Sequence, residues 1–175
     1  MVEVGEDVRG LLAQAQRAAQ KRGETSSTAH LLLAMVQSRD ESGRLLWEHG
    51  VREATLLGVI GKVDAEASNA IDLALQRAAQ LAGQSGHSRA RPLHLLLASL
   101  RDARTSATRC LTAIRAPSGE LTRVLEDSLG IPSKPTAGGL RRRPRPLSSS
   151  SARQAASQRA PQRETEVAKQ VDSAR

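Results

Sequence analysis

The sequence predicts an all-α protein of two four-helix repeats packed about a pseudo-twofold axis. Two observations carry that prediction. The chain repeats itself, with Ala29-His30-Leu31-Leu32-Leu33-Ala34 returning as Leu93-His94-Leu95-Leu96-Leu97-Ala98. It also has no Phe, no Tyr and a single tryptophan, Trp47, so its core must come from Leu, Ile, Val and Ala. Such small aliphatic cores suit closely packed helices, whereas strands draw on aromatic and β-branched residues. No segment alternates apolar and polar residues over strand length.

The repeat extends well beyond the shared string. At an offset of 64, Leu11 meets Leu75, Ala15 meets Ala79, Gln16 meets Gln80 and Ala18 meets Ala82. Later the offset is 65, with Leu46 on Leu111, Leu56 on Leu121 and Val59 on Val124. One residue inserted in a loop would account for the change. The expected layout is residues 1–66 for the first repeat, 67–131 for the second, and 132–175 for a disordered basic tail.

The first helix of each copy follows from spacing. Val8, Leu11, Leu12, Ala15, Ala18 and Ala19 recur at helical intervals, as do Ile71, Leu75, Ala78, Ala79 and Ala82. Gly23 and Gly83 are the expected stops, because glycine accepts the left-handed terminating conformation. The second helices open at Thr28, a capping residue, and at Pro92, which suits a first helical position. The runs Leu31–Val36 and Leu93–Leu100 are apolar nearly all round and should be the buried central helices. Third helices are expected over Ser42–His49 and Ala107–Arg115. Fourth helices should start near Arg52 and Ser118, carrying Leu56, Leu57 and Ile60, and Leu121, Val124 and Leu125.

At these residues the chain resembles the N-terminal domain of the Clp unfoldases, a tandem repeat whose second helix opens Thr-Glu-His-Leu-Leu-Leu-Ala-Leu-Leu. The matching stretches run Thr28 to Val36 and Pro92 to Leu100, and the structural repeat signature is Thr28, His30, Leu31, Leu32 and Leu33 with His94, Leu95, Leu96 and Leu97. Leu45-Leu46-Trp47-Glu48-His49-Gly50-Val51 matches the family's leucine pair and Gly-Val turn. The second copy has Cys110-Leu111 and replaces the glycine turn with Arg115-Ala116-Pro117. The resemblance covers about residues 6–130. It implies a protein-binding module that docks adaptors or unfolded substrate segments for a Clp ATPase, in a stress-response setting. In the ClpC-like branch an acidic residue before each His helps bind phosphorylated arginine. Here Ala29 and Leu93 stand at those positions, so that activity is not carried over.

Catalysis finds little support. His30 and His94 are matched positions and read as capping or hydrogen-bonded core residues rather than general bases. His49 and His87 lie in turns and are expected to be solvated. Gly83-Gln84-Ser85-Gly86-His87 fails the G-x-S-x-G elbow of a serine hydrolase. Gly58-Val59-Ile60-Gly61-Lys62-Val63 lacks both the earlier glycine and the hydroxyl of a phosphate-binding loop. Cys110, the only cysteine, is expected to be buried and inert. No metal, cofactor or catalytic residue is expected, and binding is expected in an apolar groove between the repeats.

Charge is divided unevenly. Residues 1–133 carry 16 basic and 15 acidic side chains, while 134–175 carry 10 and 3. The tail's Arg141, Arg142, Arg143 and Arg145 form a patch able to contact polyanions, although no aromatic residue accompanies them for base stacking. The alternative function is therefore accessory nucleic-acid binding through this tail, weak and salt-sensitive. The acidic start and the short apolar runs exclude a signal peptide and a membrane span, and the expected location is cytoplasmic.

Overall fold

Eight helices account for nearly all the ordered backbone in the computed structural model, which describes residues 3–131. In chain order they are α1 (Glu6–Arg22), α2 (Thr28–Gln37), α3 (Glu41–Glu48), α4 (Glu53–Ile60), α5 (Ala70–Gln84), α6 (Pro92–Leu100), α7 (Ser106–Ala113) and α8 (Ser118–Ser128). Helices α1–α4 form one repeat and α5–α8 the other. The expected boundary at 66/67 falls in the connector of residues 61–69. The tail expected over 132–175 lies outside the described residues.

The packing has the exchange that a twofold axis demands. Within each repeat α1 lies on α2 and α5 on α6; across the repeats α2 meets α7 while its counterpart α6 meets α3. The central helices behave as their composition requires. Every residue of α6 is buried, and eight of ten in α2. Leu31, Leu32, Leu33, Leu95, Leu96 and Leu97 are all at most 2% exposed, and no larger aromatic ring shares their core. Trp47, by contrast, is 60% exposed, with the Arg52 guanidinium 4.1 Å above its ring.

The structure corrects the repeat register in the first helices. The αL glycine after α5 is Gly86, with φ 74°, and Gly83 lies inside the helix. Gly23 N–H donates to Gln20 O and Glu24 N–H to Ala19 O, just as Gly86 donates to Gly83 O and His87 to Ala82 O. Gly23 therefore corresponds to Gly86, an offset of 63, so Ala15 pairs with Ala78 and Ala19 with Ala82. The buried stripe agrees: Ala74, Ala78, Leu81 and Ala82 are buried, while Ile71, Leu75 and Ala79 are only half-buried. The offset grows to 64 in α2/α6 and 65 in α3/α7, so two loops, not one, have each gained a residue.

The same double-bonded helix stop recurs at Gly50, Arg115 and Gly130. Arg115 is the exception in kind, the one non-glycine with positive φ among the described residues, at 55°. The lost Gly-Val turn of the second copy is thus lost in sequence but kept in backbone shape.

One element was not expected. Glu3–Val4 (β1) and Arg89–Ala90 (β2) form a two-residue parallel pair, Glu3 on Arg89 and Val4 on Ala90. Two residues are too few to show alternation, so no sequence pattern could flag it. It ties the start of the chain to the α5–α6 loop of the other repeat.

Candidate functional site

The seam between the repeats is organised by a connector carboxylate. Helices α2 and α7 start side by side, and each start has backbone N–H groups without helical partners. Half-buried Glu66 reaches into that point from the connector. One carboxylate oxygen accepts from Thr28 N–H; the other accepts from the Thr28 hydroxyl at 2.6 Å and from Ser106 N–H at 2.7 Å. The hydroxyls complete the exchange: Ser106 Oγ accepts from Ala29 N–H and Thr28 Oγ1 from Ala107 N–H, both at 3.0 Å. Each repeat thus caps a helix of the other, and a negative charge sits where two helix dipoles present their positive ends.

The two signature histidines, near the starts of α2 and α6, serve as structural hydrogen-bonding groups. His30 is 2% exposed; the Ser27 hydroxyl lies 2.8 Å from Nδ1 and the Glu24 carboxylate 3.1 Å from Nε2. Burial lowers its pKa against the opposing pull of Glu24. The neutral ring therefore donates from Nε2 to Glu24 and accepts from Ser27 at Nδ1. His94 is fully buried, accepts from Arg91 N–H at Nδ1 (3.1 Å) and donates from Nε2 to Ser85 Oγ (3.0 Å). Burial, with the neighbouring His87 and Arg91, holds its pKa down to about 4. His87 occupies in the second repeat the place of Glu24 in the first. Its ring stands edge-on to His94 with centroids 5.0 Å apart, and its Nδ1 lies 3.1 Å from Ser85 Oγ.

His87 is therefore not the solvated turn residue expected from sequence, and neither is half-buried His49, whose Nδ1 donates to Leu45 O at 2.8 Å. In each case the side chain folds back on the preceding helix end. Cys110 is buried, and loss of solvation raises its thiol to about 11, with the charge of Glu66 adding to the effect. Ala29 and Leu93, at the positions where the ClpC-like branch has acids, are buried too. The patch Arg141, Arg142, Arg143 and Arg145 lies outside the described residues. Among the described residues no three His, Cys, Asp or Glu side chains gather as a metal site would need, and no helix is long and apolar enough to cross a membrane.

A groove does lie between the repeats, where sequence placed one, but two larger ones lie elsewhere. Two cavities of mixed lining lie at the seam: about 310 Å³ beside Glu24, His30, Ile60, Val63 and Glu66, and about 90 Å³ beside Asp7, Glu41, Arg91 and Leu93. The larger ones lie within each repeat. One of about 370 Å³ runs between α1, α2 and α4, lined by Arg17, Ala18, Lys21, Leu33, Gln37 and Leu57 among others. Another of about 460 Å³ lies on α5 and α6, with Arg77, Gln80, Leu81, Gln84 and Arg101 in its walls. With the corrected register these are one place seen twice, since Arg17, Ala18 and Lys21 correspond to Gln80, Leu81 and Gln84. No sequence pattern pointed to them, because their residues lie on exposed helix faces that read as ordinary solvated surface.

Two comparisons bear on identity. The family model described as the Clp repeat (R) N-terminal domain matches residues 66–169, more than half of the chain. Among solved structures, the crystal structure of the N-terminal domain of the caseinolytic protease associated chaperone ClpD from Arabidopsis thaliana is similar in fold. Its TM-score is 0.60 at 19% sequence identity, over 73% of this chain and 95% of that one. No curated protein matches the sequence.

Proposed function

The chain belongs to the Clp repeat N-terminal domain family, and from that membership we propose that it is a non-catalytic protein-binding module. It docks adaptors or unfolded substrate segments for a Clp-type ATPase. In this reading residues 1–66 and 67–131 act as the two halves of one domain. The observation that carries it is the family match, joined to a fold likeness covering nearly the whole ClpD N-terminal domain. The site chemistry agrees. His30 and His94 are buried, hydrogen-bonded and held below the usual imidazole pKa, and Cys110 is buried with its thiol raised to about 11, which fits structural rather than catalytic roles for these three groups. The surface supplies two open grooves on a helical frame.

The test is binding. The full chain is titrated into a fluorescently labelled, permanently unfolded protein and, separately, into a purified Clp ATPase stripped of its own N-terminal domain. Saturable binding to either supports the reading, and stimulation of substrate turnover by the ATPase would strengthen it. If neither binds and the ATPase rate is unaffected, the docking function is refuted.

A further inference from the structure

The two equivalent grooves differ in how their charges are satisfied, and that difference points to a ligand. In the second repeat two of the three arginines lining the groove, Arg77 and Arg101, are spent internally, while Arg104 has no carboxylate partner for its side chain among the described residues. Arg77 pairs with Asp102 at 2.6 Å and Arg101 with Glu126 at 2.7 Å; Asp102 is held well below the usual carboxylate range by Arg77, with Arg104 N–H adding to it. In the first repeat Arg22 is neutralised by Glu24 at 3.0 Å. Arg17 and Lys21 have no carboxylate partner among the described residues, and Arg17 donates only to Ala13 O of its own helix.

These two cations are four residues apart on α1, so they stand one turn from each other on the same face, where like charges repel. The dipole of α1 accounts for a cation in its last turn, such as Lys21, but not for Arg17 one turn further in. Between and below them the floor is apolar. Leu33 is buried, Ala18 half-buried, and Leu57 on α4 is 37% exposed, one of only three large apolar side chains left so open among the described residues. The place of Leu57 in the second repeat is taken by Thr122. Two unpaired cations one turn apart and an exposed leucine therefore occur together in this groove, whereas its twin, lined by Leu81 and Ala98, has one unpaired cation, Arg104, and a threonine in the place of Leu57.

We propose that the α1/α2/α4 groove is a docking site for an acidic peptide segment carrying a bulky aliphatic side chain. The aliphatic group would rest against Leu57, Ala18 and Leu33, and flanking carboxylates would engage Arg17 and Lys21. The groove's volume, about 370 Å³, suits side chains of an extended or helical segment rather than a folded domain. The inference rests on the protein-binding reading above and specifies which chemistry that binding selects.

The experiment is fluorescence anisotropy with the full chain and three labelled decapeptides: Glu/Asp-rich with a central Leu, the same with the Leu replaced by Ser, and a Lys-rich version with the Leu retained. The first should bind most tightly, and its affinity should fall as salt is raised to about 0.5 M, as expected for exposed cations. Arg17→Glu with Lys21→Glu should weaken it at least about tenfold, and Leu57→Thr, which copies the second repeat, about three- to tenfold. Gln80→Glu with Gln84→Glu, at the matching positions of the twin groove and giving it the same final charge there, should leave it within about twofold; circular dichroism confirms that each variant folds. Equal weakening by both double variants would mean unspecific charge attraction and overturn the proposal. So would an affinity unchanged by the first double variant. If no acidic peptide binds but the unfolded protein still does, this inference fails and the broader docking function stands.

Discussion

Replacing Glu66 by Ala removes one carboxylate and three hydrogen bonds, from Thr28 N–H, Thr28 Oγ1 and Ser106 N–H. Bonds to a charged acceptor are individually worth about 1.5–3 kcal/mol. Glu66 is only half-buried, so water can reach part of the vacated space and the total should stay well below three such bonds. An expected loss of about 2–4 kcal/mol follows once the favourable placement at two helix N-termini is included. For a domain of this size that corresponds to a Tm lowered by roughly 8–15 °C. Urea unfolding of the full chain, followed by helical circular dichroism and extrapolated linearly, measures it directly. Glu66→Gln, which keeps the shape but not the charge, should lose about half as much. Pairing Glu66→Ala with Thr28→Val in a double-mutant cycle should give a coupling of at least about 1 kcal/mol. The neighbouring Asp64→Ala is the control: Asp64 is 94% exposed with Arg109 4.0 Å away, and its loss should be close to zero. A Glu66→Ala loss below about 0.5 kcal/mol, or no coupling to Thr28, would refute the cross-capping account.

Three further outcomes are expected. Because His94 has a folded pKa of about 4, below its unfolded value, its contribution to stability is complete above about pH 6.5 and declines as pH falls toward 4. Unfolding at pH 5 should cost about 2 kcal/mol less than at pH 7, and His87→Glu, which reproduces the Glu24 arrangement of the first repeat, should raise the His94 pKa in an NMR titration and shrink that loss. Arg115→Gly should stabilise by about 0.5–1 kcal/mol in urea melts because it relieves a left-handed backbone, whereas Gly50→Ala at the matching turn should cost a similar amount. Gly43→Ala should cost about 2–3 kcal/mol by the same assay, since its new methyl would lie 2.2 Å from Ser38 O and 2.6 Å from Met35 O.

Much of the architecture could be read from the chain because leucine-rich helices announce themselves. The buried runs of α2 and α6, the turn at Gly23 and the doubled His-Leu-Leu-Leu string each reflect a strong local requirement. Register in α1 and α5 was harder. Alanines at 15, 18 and 19 and at 78, 79 and 82 fit two alignments equally, and Gly83 offered a false stop three residues before the true one at Gly86. Glu66 carried no signal, since an acid in a polar connector looks like any solvated loop residue until folding brings Thr28 and Ser106 to it. The grooves were equally silent. Arg17 and Lys21 have the pattern of an ordinary exposed helix face, and only a second copy in which Arg77 and Arg101 are paired draws attention to the two that are not.

The exchange of caps across the seam also has a bearing on synthesis. The hydroxyl that completes the start of α2 belongs to Ser106, and Glu66 precedes its second partner by forty residues. At about 5–20 residues per second, a ribosome takes roughly 2–8 s to cover that distance. Throughout that interval the first half of the chain has Glu66 for Thr28 but lacks the Ser106 hydroxyl that accepts from Ala29 N–H. The full set of caps is therefore reached only by the pair, and a nascent chain halted between the repeats holds a central apolar helix with one of its caps not yet translated.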